Sequence, residues 1–177
     1  LYATLIDAVP PTGVARIETA YFAPSELVRG RLRAALERGA RVAVISNLAT
    51  NDTAPVAEGT WFVYHALLDI DPTAALYQRI ARPDLGEVMI HCKVASFGTT
   101  GPVVIGSANL DAQSGEHNSE AVLVIEDREL RRQFDAMYEA DYAPDRASRV
   151  TLEMLQHDST WAQFRQWAIW NLGRNWL

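Results

Sequence analysis

A short run, RVAVIS at residues 41–46, constrains the fold more than any other feature of the chain. It is β-branched and apolar at successive positions, the pattern of a strand buried on both faces, and such strands need helices above and below. The flanking segments supply them. Ser25 caps ELVRGRLRAALER, whose Leu27, Leu32 and Leu36 fit a helix that Gly39 stops. Past the polar NLATNDTAP (47–55), VAEGTWFVYHALLD (56–69) reads as a second helix. LYATLIDAV (1–9) reads as a helix ended by Pro10 and Pro11, and VARIETAYF (14–22) and AALYQRI (74–80) as strands. VMIHCKVASF (88–97) and PVVIGS (102–107) form a hairpin across GTTG. SEAVLVIED (119–127) is one more strand, followed by the helix RELRRQFDAMYEADY. Strands alternating with helices predict an α/β fold, a layered α/β/α sandwich whose hairpin makes the central sheet mixed. At 177 residues the chain is expected to be a single domain, 1–177.

Composition closes off several classes of function. The formal charge of −6 gives no general attraction to nucleic acid or anionic lipid. One cysteine, Cys92, excludes an intramolecular disulfide and a multi-cysteine zinc cluster, and is expected to be a buried structural thiol. No cofactor or metal is expected. No run of 18 apolar residues is present, so a cytoplasmic or peripheral-membrane location is expected. At the C-terminus, Trp161, Phe164, Trp167 and Trp170 recur at helical steps and predict an aromatic helix over 158–177. Such a face docks on a core or partner, or rests on lipid with Arg165 and Arg174 near headgroups.

Of sixteen basic residues only Lys93 is a lysine, and it stands two residues after His91. On a strand those side chains share a face with Ala95 and Phe97, while Cys92, Val94 and Ser96 point the other way. An ammonium beside an imidazole suits an anion such as phosphate. GSAN then offers Ser107 and Asn109 as donors, with Gly106 and Ala108 small enough for the backbone to approach a ligand. Glu120 could fix the tautomer of His91. His117 and Asn118 in the adjoining loop, and Asn47 and Asp52 after RVAVIS, are secondary candidates. H-x-K or G-S-x-N alone is a weak signal, and Ser107 and Asn109 could equally cap their own loop. All the elements in order within thirty residues are far more specific.

HCKVASFG, GSANLDAQS and NSE together resemble the phospholipase D superfamily, with its H-x-K-x4-D and G-S-x-N motifs. The stretch from ETAYFAPSE to VIED is similar to the cardiolipin-synthase-like branch, around the second motif of two-motif members. The resemblance implies phosphodiester hydrolysis or phosphatidyl transfer on phospholipids through a phosphohistidine, without metal. It also implies His91 as nucleophile or general acid, Lys93, Ser107 and Asn109 on the phosphate, and Glu120 orienting His91. Two departures stand out. The motif acid falls on Gly98, where strand alternation puts an aspartate at a turn rather than on the phosphate. Only one motif is present, so a second H-x-K half is expected from a segment preceding Leu1 or from another subunit. The alternatives are a homodimeric phosphodiesterase or nuclease, against which the acidic total weighs, and a non-catalytic phosphate-binding domain.

Overall fold

A computed structural model of the chain describes residues 1–156. The aromatic stretch 158–177, with Trp161, Phe164, Trp167 and Trp170, lies outside the described residues. In chain order the elements are α1 (Tyr2–Asp7), β1 (Val14–Thr19), β2 (Phe22–Ala23), α2 (Glu26–Glu37), β3 (Arg41–Ser46), α3 (Ala54–Leu68) and β4 (Ala75–Arg79). A 3-10 turn at Pro83–Leu85 precedes β5 (Lys93–Phe97), β6 (Val103–Gly106), β7 (Leu110–Asp111), α4 (Ala112–Glu116) and β8 (Val122–Ile125). The last described elements are α5 (Arg128–Asp141), β9 (Ala147–Arg149) and α6 (Leu152–Gln156).

Seven strands form the central sheet in the order β8-β6-β5-β1-β3-β4-β9. The middle strands β1, β3 and β4 are parallel, and the flanking pairs are antiparallel, so the sheet is mixed. Successive apolar residues of β3 divide between two cores, as its continuous apolar run requires. Val42 and Val44 join Ala15, Ile17, Ala95 and Phe97 under α1, α2 and α3, with Ile6, Leu32, Val63 and Leu67. Ala43 and Ile45 join Val14, Val94 and Val103 beneath Phe134 and Tyr138 of α5. Helices therefore cover both faces, giving the layered α/β/α sandwich. Burying each leucine or isoleucine side chain here contributes about 1.5–3 kcal/mol.

Two strands are shorter than the sequence pattern suggests. The run from Val88 enters the sheet only at Lys93, so Val88–Cys92, including His91, lies outside the ladder. β1 ends at Thr19, and Phe22–Ala23 instead pairs in parallel with Leu110–Asp111 as a separate two-stranded sheet. Gly106 also has a different reason from the one expected. A Cβ there would come within 2.2 Å of the Ala121 carbonyl oxygen, so glycine serves the approach of the chain at β8, not a ligand.

The turn where the family motif would carry an acid is held by other means. Gly98 has φ of +70°, a left-handed conformation that disfavours side chains, and its N–H donates to the Val14 oxygen at 2.9 Å. Its carbonyl accepts from Arg131 Nη2 at 2.5 Å, while Arg131 Nη1 donates to the Gly101 oxygen at 3.0 Å. A buried guanidinium thus clamps both ends of the turn from α5. An added Cβ meets only Pro10 Cδ, at 3.5 Å, so space is not limiting. Gly98→Ala is expected to cost about 1–2 kcal/mol through backbone conformation alone, checked by denaturant unfolding. Gly98→Asp is expected to cost less, because aspartate tolerates the left-handed region better.

Candidate active site

The topology gathers the chemistry at one edge of the sheet. The parallel strands β1 and β3 end there, at Thr19 and Ser46. Antiparallel β5 starts there, with Lys93 opposite Thr19. β6 ends there at Gly106, paired with Val122 at the start of β8. His91 and Lys93, Ser107 and Asn109, and Glu120 thus come from three strand ends, at the edge where α/β sheets place ligands.

Lys93 Nζ donates to the His91 carbonyl oxygen at 2.9 Å and lies 3.2 Å from both ring nitrogens. A donor in line with one ring nitrogen cannot be equally near the other, so the ammonium rests against the imidazole rather than on one lone pair. Burial lowers the Lys93 pKa from its ordinary value, opposed by Cys92 and by the carboxylates of Glu120 and Asp111. The imidazole itself is exposed. Both groups stand ready for an anion that would draw the ammonium off the backbone carbonyl.

Glu120 is placed differently from expectation. Its Oε2 accepts from Ser107 Oγ at 2.5 Å and its Oε1 from Asn118 Nδ2 at 3.4 Å, and no hydrogen bond joins it to His91. The Ser107 hydroxyl in turn accepts from the Ala121 N–H at 3.0 Å. These bonds, Ser107's foremost, hold the Glu120 pKa below the usual glutamate value, so it stays ionised to lower pH. Ser107→Ala is expected to raise that pKa toward the ordinary value, read by carboxyl-carbon NMR titration. Asn109 makes no hydrogen bond, and its Oδ1 is enclosed without a partner.

The secondary candidates separate. Asn47 is fully buried, with Nδ2 on the Ala20 and Ile90 oxygens at 2.9 Å each and Oδ1 accepting from the Ile90 N–H at 3.0 Å. It is a bracket that fixes the residue before His91. Asp52 is exposed and accepts from Tyr21 Oη at 2.9 Å. His117 is exposed, its backbone N–H on the Gln113 oxygen. Sequence reasoning missed Asp111, which caps α4 through the Ser114 N–H at 2.6 Å and is near enough to interact electrostatically with both Lys93 and Glu120. Burial raises its pKa. The signal was an aspartate before a short helical run. The Cys92 thiol is half-buried, and burial raises its pKa well above the usual range, which keeps it protonated.

The family model for the phospholipase D-like domain of cardiolipin synthase matches residues 13–142, and the chain belongs to that family. The match spans the whole sheet-edge constellation. Among solved structures the fold is similar to Nuc, a phospholipase D family member from Salmonella typhimurium. That likeness has 19% identity and a TM-score of 0.65, and covers 84% of this chain and 89% of Nuc. It is also similar to NucT from Helicobacter pylori, at 20% identity and TM-score 0.62, covering 78% of this chain and 83% of NucT. The phosphatidylserine synthase of Haemophilus influenzae Rd KW20 aligns over 99% of this chain but 44% of its own, at 16% identity and TM-score 0.68. No match is found among curated proteins.

Proposed function

We propose that the chain carries out phosphodiester hydrolysis or phosphatidyl transfer on phospholipids through a phosphohistidine, as one half of a two-histidine site. The observation that carries this is the convergence of His91, Lys93, Ser107, Asn109 and Glu120 from three strand ends in a chain of this family. In the reaction one histidine attacks phosphorus through a ring nitrogen, and the phosphorus–oxygen bond to the leaving alcohol breaks. A second histidine protonates that alcohol and then takes a proton from the water or acceptor alcohol that releases the phosphoryl group. Lys93 and the Asn109 carboxamide neutralise and hold the phosphoryl oxygens. Glu120 keeps Ser107 in place and balances the lysine charge. His91 fills one histidine role, and its counterpart comes from a second H-x-K half.

The likeness to about half of a phosphatidylserine synthase supports a half-site contributed within a longer chain. A second reading draws on the 89% coverage of Nuc: two copies of this chain pairing so that each supplies one His91. Light scattering with activity assays separates them. A strictly monomeric chain, inactive on both phospholipid and DNA until a second half is supplied, supports the first. An active dimer supports the second.

A peripheral contact with the bilayer accompanies the phospholipid reading. No helix among the described residues is long and apolar enough to cross a membrane. Removing residues 159–177 is expected to lower sedimentation with vesicles of phosphatidylglycerol and phosphatidylcholine severalfold. Equal binding by the full and shortened chains would place the substrate contact elsewhere.

A further inference from the structure

Beneath the His91–Lys93 segment lies a carboxyl that the proposed chemistry does not use. Glu18 sits on central strand β1, between Ile45 of β3 and Val94 of β5, with 2% of its surface exposed. Its Oε2 is enclosed and accepts no hydrogen bond. A buried carboxylate ordinarily recruits an arginine. Arg79 of β4 is at hand, but its charge is already engaged, with Nη1 on Asp141 at 2.9 Å and Nη2 on Glu87 at 3.1 Å. The other groups facing Glu18 are Asp141 and Tyr138 of α5 and Cys92 ahead of β5. Burial first, then Asp141, push the Glu18 pKa up to about 7, and the Cys92 thiol and Arg79 offset this only in part.

Cys92 separates His91 from Lys93. The segment Ile90–Cys92 is outside the strand ladder, so a few contacts hold it. Asn47 grips Ile90, the Ala20 N–H donates to the Cys92 oxygen at 3.0 Å, and the Cys92 side chain lies against the Glu18 carboxyl. We propose that Glu18 is a positioning residue whose protonation state, passed through Cys92, sets the placement of the His91 and Lys93 side chains. The neutral carboxyl packs against the thiol without penalty. Once ionised, it is a second buried negative charge that Asp141 repels and that the Cys92 thiol, its hydrogen-bond donor, favours, so the charge is pushed from α5 and drawn toward the segment carrying His91. The folded-state pKa is raised, so the neutral carboxyl holds on the acid side, and the pull on Cys92 is gained as pH rises through that value. The consequence for turnover rests on the function proposed above, whereas the coupling to His91 stands on geometry.

The test follows the Glu18 carboxyl carbon and the His91 ring by NMR in the full 177-residue chain, from about pH 5 to 9. The His91 ring signals are expected to show an inflection at the pH where Glu18 ionises, one that is absent when position 18 cannot ionise. Glu18→Gln, permanently neutral, removes that inflection. Cys92→Ala keeps the carboxyl titration but uncouples it from His91, which serves where the Gln variant does not fold. In turnover of a phosphodiester, the ratio of wild-type kcat/KM to that of Glu18→Gln is expected to change across the inflection, by up to about tenfold per pH unit. A Glu18 titration that leaves His91 unmoved, or an inflection that persists in either variant, overturns the proposal. A protein that shows the coupling but turns over no phosphodiester removes the proposed function and leaves the positioning role. An active protein with the same pH profile in wild type and Glu18→Gln does the reverse.

Discussion

His91→Ala is expected to reduce phosphodiester turnover on the order of 10⁴-fold or more, because a nucleophile or its proton donor cannot be replaced by solvent at this site. The exposed ring makes no contact that the core needs, and the Lys93 bond to the His91 carbonyl survives the substitution. Stability should therefore change by less than about 0.5 kcal/mol, as for ordinary surface substitutions. That contrast separates chemical from structural loss. The assay pairs the variant chain with its second half, or uses the dimer, and compares kcat at saturating phospholipid with a thermal melt of the same sample. Chelators are expected to leave the wild-type rate unchanged. Full activity in His91→Ala would end the proposed mechanism.

Asn47→Ala should act in the opposite proportion. The side chain satisfies the Ala20 carbonyl and both backbone groups of Ile90, all within the buried end of the sheet. The loss leaves both Ile90 groups unpaired and the Ala20 carbonyl with only the longer bond from Ser46 Oγ at 3.5 Å, so at about 1 kcal/mol or more for each lost bond the sum is about 3 kcal/mol. For a chain of this size that lowers Tm by roughly 6–12 °C. Because Ile90 precedes His91, turnover should fall as well, even at temperatures where the variant remains folded. Circular dichroism melts and kcat/KM on one preparation check both. A variant as stable as wild type would show that the bracket is dispensable.

The layered architecture was legible because each of its signals is local. RVAVIS needs two covered faces, and both cores indeed draw on it. The Arg131 clamp, by contrast, joins residues more than thirty positions apart, and nothing at Gly98 announces it. The run from Val88 looked like strand because apolar composition does not tell a ladder from a side-chain bracket. Asn47 replaces the ladder there with its amide, which is why the strand starts five residues late. His91 and Lys93 were placed by strand alternation, and their proximity survives although His91 is outside the strand. The link from Glu120 to His91 did not follow, because Ser107, thirteen residues away and on the neighbouring strand end, takes that carboxylate instead. Glu18 did carry a signal. With Arg16 it puts two charged residues on one face of a strand that the pattern requires to be central, and burial of such a group marks an unusual environment.

The central claim, that His91 takes part in phosphoryl transfer through a covalent histidine intermediate, is tested most directly by rapid quenching with phospholipid substrate and peptide mass spectrometry. The expected result is an acid-labile phosphoryl adduct on a histidine, His91 or its counterpart in the second half, formed by wild type and not by His91→Ala. A turnover-competent protein that forms no histidine adduct, or an equal yield from His91→Ala, would contradict it.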